Sequence, residues 1–320
     1  MSHLSDLPTE LLLNIAEFLL TIDILSLSQC SKHLHDLLSQ LRFEELVSYE
    51  QICDISYFDS FRNVKYTSDI KAAFPKALTQ LHWNTSEQLP QLPEFLTHLE
   101  LGNSYGHCLS QLPDSLLSLK VGVSYDQPLS RLPIKLENLE LGTVYEILLT
   151  NLPDSLLYLK LGRGNNLPLP HLPSSLKYLD LGNGYNYVFS SFPDTLLTLK
   201  LSNDYDKPFP PLPKSLIYIQ FGECYNQPLP ALPDSFLHLI LNKYYDLPLP
   251  HLPDSITYIQ LGDYYNQPLR SLPKSLVGLR LGRSYSHPLP PLPETLTFLQ
   301  VSNKVKLPIL PQDLYVHILE

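Results

Sequence analysis

The chain has 320 residues, a formal net charge of −10, 44% hydrophobic residues, 30 prolines and 12 glycines. Average usage would give about 16 prolines, so the excess excludes a long helical bundle, yet Pro plus Gly stays well under the roughly 25–30% of low-complexity chains. The acidic balance argues against a nucleic-acid binder, which needs a basic stripe, and no apolar run approaches the roughly 18 residues of a membrane span.

Residues 1–50 hold one Pro and no Gly, and their apolar residues fall at helical spacing. Nothing in MSHLSDLPTE resembles the basic-then-apolar pattern of a secretory signal. Pro8 suits a first helical turn, and Leu11, Ile15, Phe18 and Leu19 follow at i, i+4, i+7 and i+8. Thr21 or Asp23 is placed to cap a second helix carrying Ile24, Leu25 and Leu27. Ser31 is placed to cap a third carrying Leu34, Leu37 and Leu38. On residue pattern alone this is a small helical cap. Cys30, Cys53, Cys108 and Cys224 stand far apart with no C-x-x-C, which predicts free thiols in a reduced, cytoplasmic protein.

Beyond residue 75 a period takes over. Prolines stand at 93, 113, 133, 153, 173, 193, 213, 233, 253, 273 and 293, eleven units of 20 residues. The pattern is L-P-x-S-L-x-x-L-x-L-G-x-x-Y-[ND]-x-P-L-P-x, and a signal this regular predicts a solenoid of stacked coils. In each unit x-L-x-L alternates with period two, a half-buried strand with residues such as Leu159 and Leu161 pointing inward. Glycine follows the strand in eight of eleven units, which suits a turn with an unusual backbone angle. The proline-rich stretch back is expected to be extended rather than helical. Tyr105, Tyr125, Tyr145, Tyr185, Tyr205, Tyr225, Tyr245, Tyr265 and Tyr285 share one position and are expected to pack in the core or at its rim. Weaker copies at Phe61, Val64, Tyr66 and at Leu78, Leu81, Trp83 read as capping coils, and Leu310-Pro311 through Leu314 begins a last one.

Outward strand positions form ladders found by adding 20. One runs Glu100, Lys120, Glu140, Lys160, Asp180, Lys200, alternating in sign, then changes to Gln220, Ile240, Gln260, Arg280, Gln300. Alternation predicts a self-neutralised surface of exposed pairs, each worth roughly 0–1 kcal/mol. The ladder two residues earlier gathers aromatics in its second half. Tyrosine is favoured at recognition surfaces. Tyr158, Tyr178, Tyr218, His238, Ile240 and Tyr258 are therefore the expected target-binding residues, against the alternative that they only stack across strands.

No G-x-S-x-G, P-loop, H-E-x-x-H or G-x-G-x-x-G stands in the chain, so no enzyme activity, cofactor or metal site is expected.

Two resemblances complete the reading. The Y-N-Q-P-L element at 225–229 and 265–269, with L-P-x-S-L, is similar to the FNIP repeat, and L-x-x-L-x-L resembles the leucine-rich-repeat frame. Asn165 departs from the tyrosine position, and Cys108, Leu148 and Val188 from the late proline. The stretch LSDLPTELLLNIAEFLLTIDILSLSQCSKHLHDLL resembles an F-box, with Leu34 where that family has Trp or Phe. The resemblance implies an α+β fold: a three-helix F-box, then a leucine-rich-repeat-like solenoid with one parallel strand per unit and a Pro-rich convex return. The expected divisions are 1–48 for the F-box, 49–91 for degenerate capping repeats, 92–311 for eleven repeats and 312–320 for a C-terminal cap. The F-box implies docking on a Skp-type adaptor of a cullin ubiquitin ligase through Leu7, Pro8, Leu11, Ile15, Leu19, Ile24 and Leu25, while the solenoid would hold an unknown protein target. No nucleic acid or membrane partner is expected. This architecture is known from amoebae and from large viruses infecting them, so diversion of host ubiquitination is a further implication. A plain interaction scaffold with a helical cap is the alternative.

Overall fold

The computed structural model describes residues 7–16, 18–38, 41–67, 74–109, 111–129 and 131–319. The side chains of Ile22 and Leu38 lie outside the described ones, including the expected core contribution of Leu38. The chain falls into two compact units, Met1–Gln127 and Pro128–Glu320.

The first unit begins with helices α1 (Thr9–Ala16), α2 (Thr21–Ser28) and α3 (Lys32–Leu38). Pro8 lies just before α1 rather than within it, and its carbonyl accepts the Leu11 and Leu12 N–H groups at 3.0 and 3.1 Å. Neither Thr21 nor Asp23 caps α2: the cap position is Leu20, with no side-chain bond. Instead the Thr21 N–H donates to Glu45 Oε2 at 2.7 Å, a carboxylate from outside the helix serving its open end. Ser31 does cap α3, its Oγ accepting the Leu34 N–H at 3.2 Å. Both α1 and α2 pack on α3. Their shared core is Leu12, Ala16, Ile24, Leu25, Leu34 and Leu37, all buried.

Strands follow: β1 (Val47–Ser48), the short helix α4 (Tyr49–Ile52), then β2 (Asn63–Tyr66), β3 (Gln80–Trp83), β4 (His98–Leu101) and β5 (Ser118–Lys120). Each strand pairs in parallel with the next. Phe61, Val64, Tyr66, Leu78, Leu81 and Trp83 are all 0–2% exposed. Irregular spacing here is filled by aromatics: Tyr49 stacks on Tyr66 at 4.7 Å, and Tyr66 meets Trp83 at 5.3 Å.

The second unit is ten parallel strands, each paired with its chain neighbour. They are β6 (Asn138–Glu140), β7 (Tyr158–Lys160), β8 (Tyr178–Asp180), β9 (Thr198–Lys200), β10 (Tyr218–Gln220), β11 (His238–Ile240), β12 (Tyr258–Gln260), β13 (Gly278–Arg280), β14 (Phe298–Ser302) and β15 (Tyr315–Leu319). The result is a leucine-rich-repeat-like solenoid of stacked coils of about 20 residues.

Most letters of the repeat now have a physical reason. The P-x-S-L stretch is a turn in which the Leu N–H donates to the Pro carbonyl, as Leu156 does to Pro153 at 3.1 Å. The Ser or Thr in it bonds the coil before: Ser155 Oγ donates to the Leu136 carbonyl at 2.7 Å, and Ser235 Oγ to that of Leu216. The Asn or Asp after the tyrosine does the same in reverse. Asn186, Asp206 and Asn226 each donate their N–H to the side-chain oxygen twenty residues earlier, at 3.0–3.1 Å.

Glycine has a different reason from the one its position suggests. Among the described residues only Gly182 has a positive φ, 63°. Other glycines at the post-strand position are there because coils approach through their backbones: a Cβ on Gly162 or Gly282 would collide with the carbonyl oxygen of Gly142 or Gly262. Where another residue takes the place, its side chain turns inward and bonds. Asn242 Nδ2 donates to the carbonyls of Gly222 and Tyr225, at 2.8 and 2.7 Å.

Tyr185, Tyr205, Tyr225, Tyr245, Tyr265 and Tyr285 form a buried column, neighbouring centroids 6.3–6.5 Å apart and planes within 9°. Asn165, itself buried, interrupts it after Tyr145. Its Oδ1 accepts the Leu167 N–H at 3.3 Å.

Candidate functional site

Two surfaces stand out, one in each unit. In the first unit, α1 buries Leu12 and Ala16 and leaves a second apolar stripe uncovered. Leu11 is 50% exposed and Ile15 39%, and Phe18, one turn on, is 88% exposed. Leu20 (60%) and Leu7 (36%) extend it. A helix apolar on two faces packs its core with one and offers the other to a partner.

The seven residues carried over for an adaptor thus divide. Leu7, Pro8, Leu11 and Ile15 are exposed, and Leu19 is half-buried. Ile24 and Leu25 are a correction: at 5% and 6% exposure they hold α2 in the core and offer no surface. Helical spacing gives the faces of one helix but not which face its neighbours take. Leu34 is likewise interior. Phe18 and Leu20 were not among the seven, although Phe18 lies on the Leu11–Ile15 stripe, so the i, i+4, i+7 spacing held the signal.

In the second unit, strand pairing puts Tyr158, Tyr178, Tyr218, His238 and Tyr258 on one ladder and Ile240 on the next. All are half-buried except His238, which is exposed. They form two groups rather than one patch. Tyr158 and Tyr178 stack face to face at 4.4 Å, with Lys200 Nζ 5.5 Å from the Tyr178 centroid. Burial raises the Tyr158 phenol above its usual pKa, and the bond to Tyr178 raises the Lys200 ammonium. After Thr198 the second group begins: Tyr218, His238 and Tyr258 meet edge to face, both pairs at 6.4 Å. Tyr258 OH donates to Gln260 Oε1 at 3.2 Å.

Charge pairing on this face is partial. Glu140 and Lys160 lie 3.7 Å apart, but Lys200 turns onto the Tyr178 ring, so the sign-alternating ladder does not neutralise rung by rung. In the first unit Glu100 is held by both Lys120 at 2.7 Å and His82 at 2.9 Å. Burial alone would raise the Glu100 carboxyl, yet these two neighbours bring it below its usual value.

A further aromatic feature was not foreseen. Tyr244 and Tyr264 stack at 5.4 Å while 57% and 51% exposed, with Lys243 Nζ 5.8 Å from each ring. The Tyr-Tyr pairs at 244–245 and 264–265 held the signal, because the second tyrosine of each belongs to the buried column. Among the described residues no cluster of His, Cys, Asp and Glu could hold a metal ion. No described helix is long and apolar enough to cross a membrane.

Comparison with known proteins bears on both surfaces. The F-box domain family matches residues 4–46, which include the exposed stripe of α1. The FNIP repeat family matches residues 88–124, 110–144 and 245–284. No curated protein matches the chain. Among solved structures, CroV588, described as a novel circular leucine-rich-repeat protein, is similar at a TM-score of 0.69 and 26% identity, over 81% of this chain and 46% of that one. YopM from Yersinia enterocolitica is similar at 0.65 and 27%, over 81% of this chain and 60% of that one. YopM from Yersinia pestis, a leucine-rich effector protein, gives 0.57 and 25%, over 77% and 72%. The chain therefore spans about half to three fifths of the length of the first two.

Proposed function

From a chain that joins an F-box domain to FNIP repeats in a leucine-rich-repeat-like solenoid, we propose a substrate-recognition subunit of a cullin-type ubiquitin ligase. Both modules serve protein–protein interaction. The F-box binds a Skp-type adaptor, and the strand face of the solenoid holds the target. The chain does no bond chemistry on this reading; it raises the effective concentration of target beside the transferring subunits, in the cytoplasm. The observation that carries the proposal is the exposed group Leu11 and Ile15 on α1 and Phe18 in the turn after it, inside the segment that matches the F-box family. Apolar anchors at i, i+4 and i+7 are the pattern by which an amphipathic segment docks in a partner's groove.

The test is retention of purified Skp-type adaptor on the immobilised full chain. Wild type should retain it, and Leu11→Asp with Phe18→Asp should not, at an unchanged melting temperature because both side chains are at least half exposed. Absence of retention by wild type would overturn the proposal. A second reading, an interaction scaffold without a ubiquitin link, is favoured by the burial of Ile24, Leu25 and Leu34, which narrows the adaptor-facing surface. That reading expects no retention.

A further inference from the structure

We infer that the strand face carries a side-chain socket centred on Gly278, which takes an aromatic side chain of a target peptide whose neighbouring residue is Asp or Glu. The inference rests on the reading that this face holds the target, and it names the chemistry the target presents.

The socket arises from a missing side chain. From β6 to β15 the ladder reads Asn138, Tyr158, Tyr178, Thr198, Tyr218, His238, Tyr258, Gly278, Phe298, Tyr315. Gly278 is its one rung without a Cβ. The rings on either side part around it. Tyr258 leans across the gap, so that a Cβ on Gly278 would stand 2.8 Å from its Cδ2. Phe298 stacks away from it, on Tyr315 at 6.0 Å. Beside the two rings lies a solvent-open hollow of about 430 Å³, lined also by Thr257, Val277, Thr297 and Arg280. Val277, 45% exposed, adds an aliphatic wall. The Tyr258 ring, the edge of the Phe298 ring and a branched aliphatic group, with Thr257, Thr297 and the Arg280 guanidinium among them, suit a flat side chain offered by a peptide.

Charge fixes what stands beside that side chain. The Arg280 guanidinium lies 5.2 Å from the Phe298 centroid, held by the ring. Among the described residues no carboxylate lies within 4.0 Å of it. The outward rungs of β10 to β15 are Tyr218 and Gln220, His238 and Ile240, Tyr258 and Gln260, Gly278 and Arg280, Phe298 and Gln300, Tyr315 and His317. None is acidic, in a chain of net charge −10, whereas β6 to β9 include Glu140 and Asp180. A planar guanidinium with free donors, in a stretch cleared of competing acids, is complementary to a peptide carboxylate.

The test is saturation-transfer NMR on the full chain with four acetylated, amidated tetrapeptides: Ser-Trp-Glu-Ser, Ser-Trp-Gln-Ser, Ser-Trp-Lys-Ser and Ser-Ala-Glu-Ser. Wild type should bind Ser-Trp-Glu-Ser best, with saturation strongest on the indole protons. Gly278→Tyr restores the ladder and fills the socket; it should weaken that peptide by about tenfold, the loss expected when an anchor pocket closes. Arg280→Gln copies the flanking rungs and should weaken it by about fivefold, the worth of one charge-assisted contact, while erasing the preference for Glu over Gln. No transfer to any peptide, equal binding by Gly278→Tyr at an unchanged melting temperature, or no preference for Glu would overturn the socket. Co-purification of target with Tyr218→Ala, run in parallel, separates the two claims. Capture that falls in Tyr218→Ala but persists in Gly278→Tyr sinks the socket and spares the receptor. Peptide binding as expected, with capture untouched by either variant, keeps the socket and sinks the receptor reading.

Discussion

The second unit carries tyrosine in two columns of identical period, and they do different work. Tyr185, Tyr205, Tyr225, Tyr245, Tyr265 and Tyr285 are 0–1% exposed, parallel and evenly spaced at 6.3–6.5 Å. Tyr158, Tyr178, Tyr218 and Tyr258 are half-buried, and their contacts change from stacked to edge-on along the array. The first column is walled by neighbouring coils, so every ring has one orientation. The second lies on an open face, where each ring settles against whichever side chain the next rung supplies. Uniform surroundings make a column structural; varied ones leave it free to specify a partner.

The largest break in this contrast should come from Tyr225→Ala. Its ring touches Phe209 at 5.3 Å and Phe221 at 5.0 Å as well as both column neighbours. Removing it should cost about 3–5 kcal/mol, read as a fall in the denaturant midpoint. If the loss were below about 1 kcal/mol, the column would not be the core it is taken for.

Alkali should separate the columns next. Burial raises the buried phenols, Tyr185 and Tyr245 to about 12, from an ordinary 10.0. A raised folded-state value means that stability is whole below pH 10 and is lost as pH climbs from 10 toward about 12. Phenolate absorbance should therefore rise for the buried tyrosines only together with loss of circular dichroism. Smooth titration of all tyrosines in a folded chain would remove the distinction.

Within the buried column the hydroxyls differ, which predicts a smaller effect. Tyr145 OH accepts the Leu129 N–H at 3.3 Å, whereas the buried Tyr225 OH has no partner among the described residues. Tyr145→Phe should cost about 1 kcal/mol by orphaning a buried N–H, while Tyr225→Phe should be neutral or stabilising. Equal costs would argue that both hydroxyls are satisfied alike.

Smallest in stability is Tyr218→Ala, expected to shift unfolding by less than about 1 kcal/mol, in keeping with a cross-strand contact on an open face. Its effect should appear in target capture instead. A large loss of stability would move Tyr218 into the structural class.

The period, the strands and the inward leucines were legible because each is a matter of counting. The hydrogen bonds behind Ser155 or Asp206 were not, since they join equivalent positions of adjacent coils and show in the sequence only as a recurring letter. Glycine was read for its freedom of φ, whereas what matters is the carbonyl of the coil before, an intercoil distance that no single unit encodes. Ile24 and Leu25 show the same limit in the helices. The socket at Gly278 was hidden for another reason: it is made by an absence, which a search for recognition residues passes over.

The side-chain bonds between coils have one more consequence. From Leu129 to Tyr145, and from Ser175 to Asp154, they span 16 to 21 residues, so each coil is written against the one before it and no other. Long-range design is thereby reduced to a rule between neighbours. An in-frame duplication or deletion of one repeat's coding length leaves the Ser and Thr bonds to backbone carbonyls with equivalent partners, while the sign-alternating rungs would meet like charges. Copy number becomes a variable that mutation can change in a single step, and the outward rungs become an alphabet that can be lengthened without rewriting the fold.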